Sequence, residues 1–239
     1  MEEKDSFLEC EKWGIYATLM CVAGFYGAFT YSIRGGIFCN AQTANFVLFA
    51  MALGNAQWHH ALYYFIPMSA YLLGAIISEA IAGPVKRMLY IRWDTILVFL
   101  EMIAVIFLGF LPESAPYQIS QVTINFICSM QYNTFRRAQN VPMATTFCTN
   151  HLRQTGLAMV KAIKHEGSER KDSLKRLRIH AGMLFVFVIG GITATVSCRF
   201  LLGKAIWIVL IPLGILLIDL LYADLKKEKE KLDRIPHGH

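Results

Sequence analysis

Charged residues are scarce in this chain of 239 residues. Only 17% are Asp, Glu, Lys or Arg and 55% are hydrophobic, whereas soluble domains carry about 25% charged residues. No polar stretch is long enough to build a core of its own. The apolar residues instead fall in long blocks, such as Thr95–Leu111 and Ala181–Leu202, which match the roughly 30 Å hydrocarbon core of a bilayer. The composition predicts an all-α integral membrane protein with a single membrane domain over residues 1–239.

The sequence also lacks the motifs of several chemistries. It contains no phosphate loop, dinucleotide fingerprint, zinc spacing or nucleophile elbow, so we predict no catalytic residue, cofactor or metal. The six cysteines lie mostly inside apolar blocks, without the spacing of a disulfide framework. Met1–Lys12 is acidic, whereas a secretory leader opens with positive charge, so we expect the first apolar block to remain as a helix. The net charge of +6 indicates cytoplasmic loops rather than a nucleic-acid partner.

Lysine and arginine are absent from two of the gaps between blocks, Asn55–His60 and Pro112–Pro116. In contrast, three lie within Lys86–Arg92, seven within Lys161–Arg178 and five within Lys226–Arg234. By the positive-inside rule, the three basic segments are predicted to be cytoplasmic and the two gaps external. The blocks are Trp13–Ile33, Ile37–Gly54, Ala61–Gly83, Thr95–Leu111, Tyr117–Phe135, Val141–Ile163, Ala181–Leu202 and Ala205–Tyr222.

This charge distribution does not allow eight full spans. Three blocks, an odd number, lie between the basic segments Lys86–Arg92 and Lys161–Arg178, yet both segments are predicted to be cytoplasmic. Val141–Ile163 is the best candidate for a block that fails to cross, because its polar side chains would be expensive against lipid. Ile37–Gly54 has the same polar character. Treating both as discontinuous or re-entrant predicts about six transmembrane helices with both termini cytoplasmic. The alternative is that Ile37–Gly54 is an ordinary span whose amides hold helices together.

The two polar blocks resemble each other in pattern. Aligning Asn40 with Thr146 also aligns Thr43 with Thr149. On the six-span topology, one block enters from outside and the other from the cytoplasm. This is an inverted repeat, which places polar half-helices near the midplane in many transporters. The predicted parts are an N-terminal tail (1–12), a first repeat (13–111), a second repeat (117–222) and a cytoplasmic tail (223–239).

Two short regions carry a family resemblance. The first contains Tyr31, Arg34, Gly35, Gly36, Phe38 and Asn40–Asn45, and the second contains Gln131, Phe135, Arg136, Thr145, Thr146, Cys148, Thr149, Leu152 and Arg153. These residues resemble the two signatures of the YoaK family, bacterial membrane proteins of unknown function. The chain departs from the family pattern by having Ala44 in place of glycine and Asn150-His151 in place of Gly-Asn. The resemblance implies a multi-spanning protein of the bacterial inner membrane and brings no established substrate.

Polar side chains of the two blocks are the candidate substrate-binding residues. Asn40 and Thr43 are three positions apart, as are Thr146 and Thr149, so each pair would share a helix face. Neutral amides and hydroxyls at the end of a half-helix can bind a polar or ionic solute. The alternative is that they form hydrogen bonds between helices. The full set is Asn40, Gln42, Thr43, Asn45, Thr145, Thr146, Thr149, Asn150 and Arg153.

Glu101 lies within an apolar block, and a carboxylate inside the membrane is by default a functional-site hypothesis. It is predicted to be protonated and involved in proton coupling, or to be a partner in a structural ion pair. The candidate partners are Arg34, Arg136, Arg137 and Arg153.

Three classes of function remain open from the sequence. The leading hypothesis is a transporter or channel for a small polar or ionic solute, with the lipid bilayer and the solute as partners and a possible homo-oligomer. A membrane scaffold or sensor subunit would explain the polar residues as packing contacts. An intramembrane enzyme would require a catalytic constellation, and the sequence contains none that we recognise.

Overall fold

A computed structural model describes residues 7–88, 90–232 and 236, without the side chains of 82–88. This part of the chain is helical apart from irregular connections and one short hairpin. Its main elements are α1 (Trp13–Ile33), α2 (Gln42–Gly54), α3 (Trp58–Met88), α4 (Trp93–Phe110), α5 (Tyr117–Thr134), β1 (Arg137–Ala138), β2 (Val141–Pro142), α6 (Thr149–Lys164), α7 (Gly167–Leu201) and α8 (Leu210–Tyr222). A 3-10 segment, Leu202–Val209, joins α7 to α8, and shorter 3-10 or π turns lie at Glu9–Glu11, Ala223–Lys227 and Lys229–Lys231.

Four helical segments of the described chain are long and apolar enough to cross a membrane. They are Trp13–Ile33, Trp58–Ile81, Trp93–Phe110 and Gly167–Lys227. The last contains a sharp change of backbone direction at Leu202, whose φ is 48°. The prediction of an all-helical, membrane-compatible protein is therefore confirmed.

Two clusters of polar contacts mark opposite ends of the helical bundle. At one, the Arg92 end, Arg92 Nη1 lies 3.0 Å from Asp224 Oδ1, with both side chains buried. At the other, the Arg34 end, Arg34 Nη1 lies 3.3 Å from Glu113 Oε2. Arg92 caps the start of α4 and Arg34 caps the end of α1. Both α1 and α4 therefore run from the Arg92 end to the Arg34 end.

The contacts of α5 show that it runs in the opposite direction. Near its start, Gln121 Nε2 donates to the Arg34 carbonyl at 2.7 Å. At its end, Thr134 Oγ1 accepts a 3.0 Å hydrogen bond from Trp93 Nε1. Helix α3 packs beside α5 and runs the same way, since Tyr63 donates to the Gly35 carbonyl at 3.1 Å.

Helices α7 and α8 form the last pair of opposite passes. The backbone N–H of Gly203, just after α7, donates to Glu113 at 2.7 Å, so α7 finishes at the Arg34 end. The segment from Leu202 to Tyr222 then returns, because Asp224 follows it at the Arg92 end. Both ends of the described chain meet there: Lys227 Nζ lies 3.0 Å from Glu9. Six helical segments thus run between the two ends of the bundle.

The first interrupted segment, Arg34–Ala41, folds back into the bundle from the Arg34 end. Gly35 and Gly36 have φ values of 83° and 73°, a conformation that favours glycine. Asn40 Nδ2 then donates to the Ala23 carbonyl at 2.9 Å. Ala23 is ten residues before the end of α1, which corresponds to about 15 Å of helix. Helix α2 carries the chain back to the start of α3.

The second interrupted segment, Phe135–Cys148, enters from the Arg92 end. Its hairpin pairs Arg137 with Pro142 and Ala138 with Val141. The two turn residues have positive φ, as in a type I′ turn. Helix α6 then returns toward the start of α7. Helices thus begin at Gln42 and Thr149 rather than at the predicted starts of these two polar blocks, Ile37 and Val141.

Two pairs of helices approach each other closely at a glycine, and we call these contacts the glycine crossings. A Cβ on Gly190 of α7 would collide with the Cys21 carbonyl of α1, and one on Gly74 of α3 would collide with the Phe126 carbonyl of α5. In each of the pairs α1–α7 and α3–α5, a glycine therefore packs against a backbone carbonyl of the neighbouring helix.

Candidate functional site

A cavity of about 660 Å³ lies where the two interrupted segments meet α1 and α7, and it is open on the α7 side, where Val188, Ile192 and Val196 are exposed. Its volume is within the usual range for small-molecule sites. The lining is mostly apolar, and no charged side chain of the described chain is part of it. It is formed by Gly24, Gly27, Ala28, Phe38, Asn40, Ala41, Thr146, Phe147, Cys148, Thr149, Phe187, Val188, Gly191, Ile192, Thr195 and Val196.

Three of the predicted substrate-binding residues line this cavity: Asn40, Thr146 and Thr149. Asn40 is buried and packs against Gly27, where even a Cβ would come within 3.0 Å of its amide. Thr146 is buried, and its hydroxyl oxygen has no hydrogen-bond partner in the described chain. The register deduced from the sequence had aligned Asn40 with Thr146, and the fold brings these two positions to the same cavity.

Gln42 and Asn45 instead stabilise the first interrupted segment. Asn45 is fully buried, and its Nδ2 donates to the Phe38 carbonyl at 2.8 Å. Gln42 Nε2 donates to Asn125 Oδ1 of α5 at 2.7 Å. Both amides therefore fit the alternative hypothesis, in which these polar residues form structural hydrogen bonds rather than a solute site.

The other members of the predicted set lie outside the cavity lining. Thr145 is buried, and its carbonyl accepts a 3.3 Å hydrogen bond from Gln131. Thr43 and Arg153 are exposed, and Asn150 is half-buried. Of the aligned pair Thr43 and Thr149, only Thr149 lines the cavity.

Glu101 is fully buried, and its described partner is a phenol. Tyr26 donates to Glu101 Oε1 at 2.8 Å, while Oε2 has no hydrogen-bond partner in the described chain. Tyr26 is next to Gly27, which packs against Asn40 of the first interrupted segment. A buried carboxyl group without a neighbouring cation is stabilised in its protonated form.

The four arginines named for Glu101 have other surroundings. Arg34 pairs with Glu113, and Arg136 pairs with Glu79 at 2.7 Å. The side chains of Arg137 and Arg153 are exposed. None of them neutralises Glu101 in the described structure.

The sequence reasoning treated α5 as an ordinary span and gave its amide side chains no role, although Gln131 was part of the family resemblance. Asn125 holds Gln42 of the first segment, and Gln131 holds Thr145 of the second. Together with Gln121 they form a buried set of amides in one helix. Their presence inside an apolar block was a usable signal, since polar side chains in membrane helices face protein or water rather than lipid.

A pair of buried histidines was also missed. His151 Nδ1 lies 3.0 Å from His180 Nδ1, and His151 Nε2 lies 2.7 Å from the Ala144 carbonyl. The sequence singles out His151 only as a departure from the family pattern, and nothing in the sequence indicates a contact with a histidine 29 positions away.

Comparison with known proteins gives one match. A family model described as "Protein of unknown function (DUF1275)" covers residues 15–218 of the chain. This range includes both interrupted segments and every residue that lines the cavity. No curated protein and no solved structure matches the chain.

Proposed function

Because the chain belongs to the DUF1275 family, whose description assigns no activity, we propose from its own geometry that it is a membrane transporter or channel for a small polar or ionic solute. One observation carries this proposal. The two interrupted segments enter the bundle from opposite ends, and both contribute to one cavity about halfway along α1. Irregular backbone inside a membrane bundle is stable only where protein or a water-filled cavity surrounds it, and transporters place such segments at their solute sites.

The topology in this proposal has six spans, cytoplasmic termini and an inverted repeat. Its support is that six helical segments alternate in direction and that Glu9 and Lys227 meet at one end. The matching glycine crossings of α1–α7 and α3–α5 further support the repeat. Placement in the bacterial inner membrane and the finer identification with the YoaK group belong to the same proposal.

Membrane-impermeant thiol labelling tests this topology in intact cells. We expect single cysteines at Gln57 and Ser114 to be labelled from outside. A cysteine at Asp172, an exposed residue of α7, should react only after the membrane is opened. Efficient external labelling at Asp172 would contradict the six-span topology.

Filling the cavity tests transport. Purified protein in liposomes would be screened for uptake of small polar and ionic solutes, and then compared with Ile192→Trp. Ile192 lines the cavity, whereas Ile189, on the same helix and also exposed, does not. We expect Ile192→Trp to reduce uptake at least about tenfold, which corresponds to about 1.4 kcal/mol, and Ile189→Trp to leave it unchanged.

Two outcomes would count against the proposal. Equal uptake by the two tryptophan variants would show that the cavity is not the path. If no solute in the screen enters faster than into protein-free liposomes, a scaffold or sensor subunit becomes the better explanation.

A further inference from the structure

The histidine pair joins the second interrupted segment to α7. His151 is in the first turn of α6, three residues after the cavity-lining Cys148, and His180 lies on α7 before the cavity-lining stretch. Both are buried, whereas the other described histidines, His59, His60 and His165, are exposed. The rings therefore form a contact between one wall of the cavity and the segment that completes it.

The hydrogen bonds of the pair fix where its protons lie. The Ala144 carbonyl can only accept, so His151 must carry a hydrogen on Nε2. In neutral His151 the other nitrogen, Nδ1, is then bare and must accept. His180 therefore donates from its own Nδ1 over 3.0 Å. This arrangement requires His151 to be neutral.

The surroundings of the pair disfavour added positive charge. Burial lowers the pKa of His151, although the Ala144 carbonyl acts in the opposite direction. His180 interacts electrostatically with His151 and with Arg176, one turn earlier on α7. Other titratable groups close to the two histidines in sequence are the half-buried Cys148 and the exposed Arg153 on either side of His151, and Lys175 and Arg178 before His180. At the α1 end that packs against this part of α7, Trp13 is uncharged, and Lys12 is paired with Glu9.

We propose that His151 and His180 form a proton-binding site that controls whether the second interrupted segment is closed against α7, and so controls access to the cavity. The role of the cavity as a solute site rests on the proposed function. The proton-dependent movement of the segment does not, because it follows from the contacts of the two rings.

Protonation acts on this contact in two steps. A first proton on His180 Nε2 keeps the bond between the rings but places a charge in a desolvated site beside Arg176. A second proton, on His151 Nδ1, would bring two N–H groups together and break the bond. Protons therefore bind more strongly when the rings are exposed to water, and by linkage acid shifts the population toward the open segment. The closed form is stable at neutral pH and is lost as the pH falls.

The reactivity of the native Cys148 reports this movement. The full-length protein in liposomes would be treated with a maleimide at pH 7.5 and pH 5.5, and modification of Cys148 measured by mass spectrometry. The same measurement is made on the double variant His151→Gln/His180→Gln. At each pH, modification of Cys148 in the wild type is divided by that in the variant, so that the intrinsic pH dependence of the thiol cancels. We expect the ratio of wild type to variant to rise at least about threefold at pH 5.5. His165→Gln, which changes an exposed histidine, should behave as wild type.

A ratio that does not change with pH, or one that falls in acid, would overturn the proposal. Nitrogen NMR of labelled histidine in the wild type gives a second test if the double variant fails to fold. At pH 7.5 the spectra should contain one buried Nε2–H tautomer and one buried Nδ1–H tautomer, and two charged rings would exclude the mechanism. No solute is present in either measurement. A negative result therefore leaves the transport proposal in place, and a failed uptake screen leaves this one in place.

Discussion

The two interrupted segments occupy similar positions but are fixed by different chemistry. Amides hold the first: Asn40 binds the Ala23 carbonyl, and Asn45 binds the Phe38 carbonyl. An imidazole pair holds the second, through His151 and His180. Amides do not titrate and histidines do so near neutral pH. The first segment is therefore expected to be rigid over the physiological range, and the second to respond to protons.

Each segment also lies beside one kind of titratable group. The first packs against Gly27, next to Tyr26, which donates to the buried carboxyl group of Glu101. The second is bound through its Ala144 carbonyl to His151 of the histidine pair. Each half of the bundle thus contains one interrupted segment, and the two segments differ in the titratable groups beside them. This difference can be tested by comparing matched substitutions in the two halves.

The largest effect is expected at the glycine crossings, where both halves should respond alike. Gly190→Ala and Gly74→Ala each place a Cβ against a backbone carbonyl of the neighbouring helix. Each should lower the free energy of unfolding in detergent by about 3 kcal/mol, the upper part of the usual range for overpacking. Gly182→Ala, where no atom lies within 4 Å, is the control. A large loss in only one of the two variants would show that the halves are not equivalent.

Next in size is the loss of an amide from the first segment. Asn45→Ala removes the hydrogen bond to the Phe38 carbonyl and leaves that buried acceptor without it. We expect a loss of about 2 kcal/mol, equal at pH 5.5 and pH 7.5 because no titratable group is involved. Thr43→Ala, an exposed change in the same helix, should cost less than about 0.5 kcal/mol. If the stability loss of Asn45→Ala depended strongly on pH, the first segment would not differ from the second in its response to protons.

A smaller effect is expected from Tyr26→Phe. It keeps the ring but removes the donor to Glu101 Oε1, so a buried oxygen loses its partner. Denaturant unfolding should show a loss of about 1.5 kcal/mol. Tyr31→Phe keeps the stacking on Phe38 at an exposed position and serves as the control. Equal stability of the two variants would mean that the hydrogen bond to Glu101 does not stabilise the first half.

The smallest effect on stability is expected from Glu101→Gln. A glutamine keeps the shape and can still accept from Tyr26, so the change should be within about 0.5 kcal/mol. If Glu101 couples protons to transport, the pH dependence of uptake should be lost while solute binding persists. A loss of more than about 2 kcal/mol would instead indicate an ionised carboxylate that stabilises a buried cation. No change in either measurement would assign Glu101 neither role.

Much of the fold could be predicted because hydrophobic periodicity and charge bias are local properties. Trp13–Ile33 is helical over the bounds that the sequence gives, and α4 and α5 differ from their predicted bounds by one or two residues. The two polar blocks were identified because threonines and amides are expensive against lipid. Their helices begin later than predicted, after the glycines at 35 and 36 and after the turn at Gln139–Asn140.

The candidate site could be predicted only in part, because local patterns do not reveal partners. The register that aligned Asn40 with Thr146 anticipated two residues of the cavity wall. It gave no reason to separate Thr149, which lines the cavity, from Thr43, which does not. The direction in which each half-helix presents its residues depends on packing against α1 and α7.

The helical class, a membrane-compatible composition and the two polar blocks could be predicted from the sequence alone, because each follows from the polarity of neighbouring residues. The partners of the buried polar groups became visible only in the folded structure. Glu101 meets a phenol rather than an arginine, and His151 meets a histidine from another helix. Such contacts form between distant parts of the chain, where the energetic cost of an unpaired buried group selects a partner that no local pattern specifies.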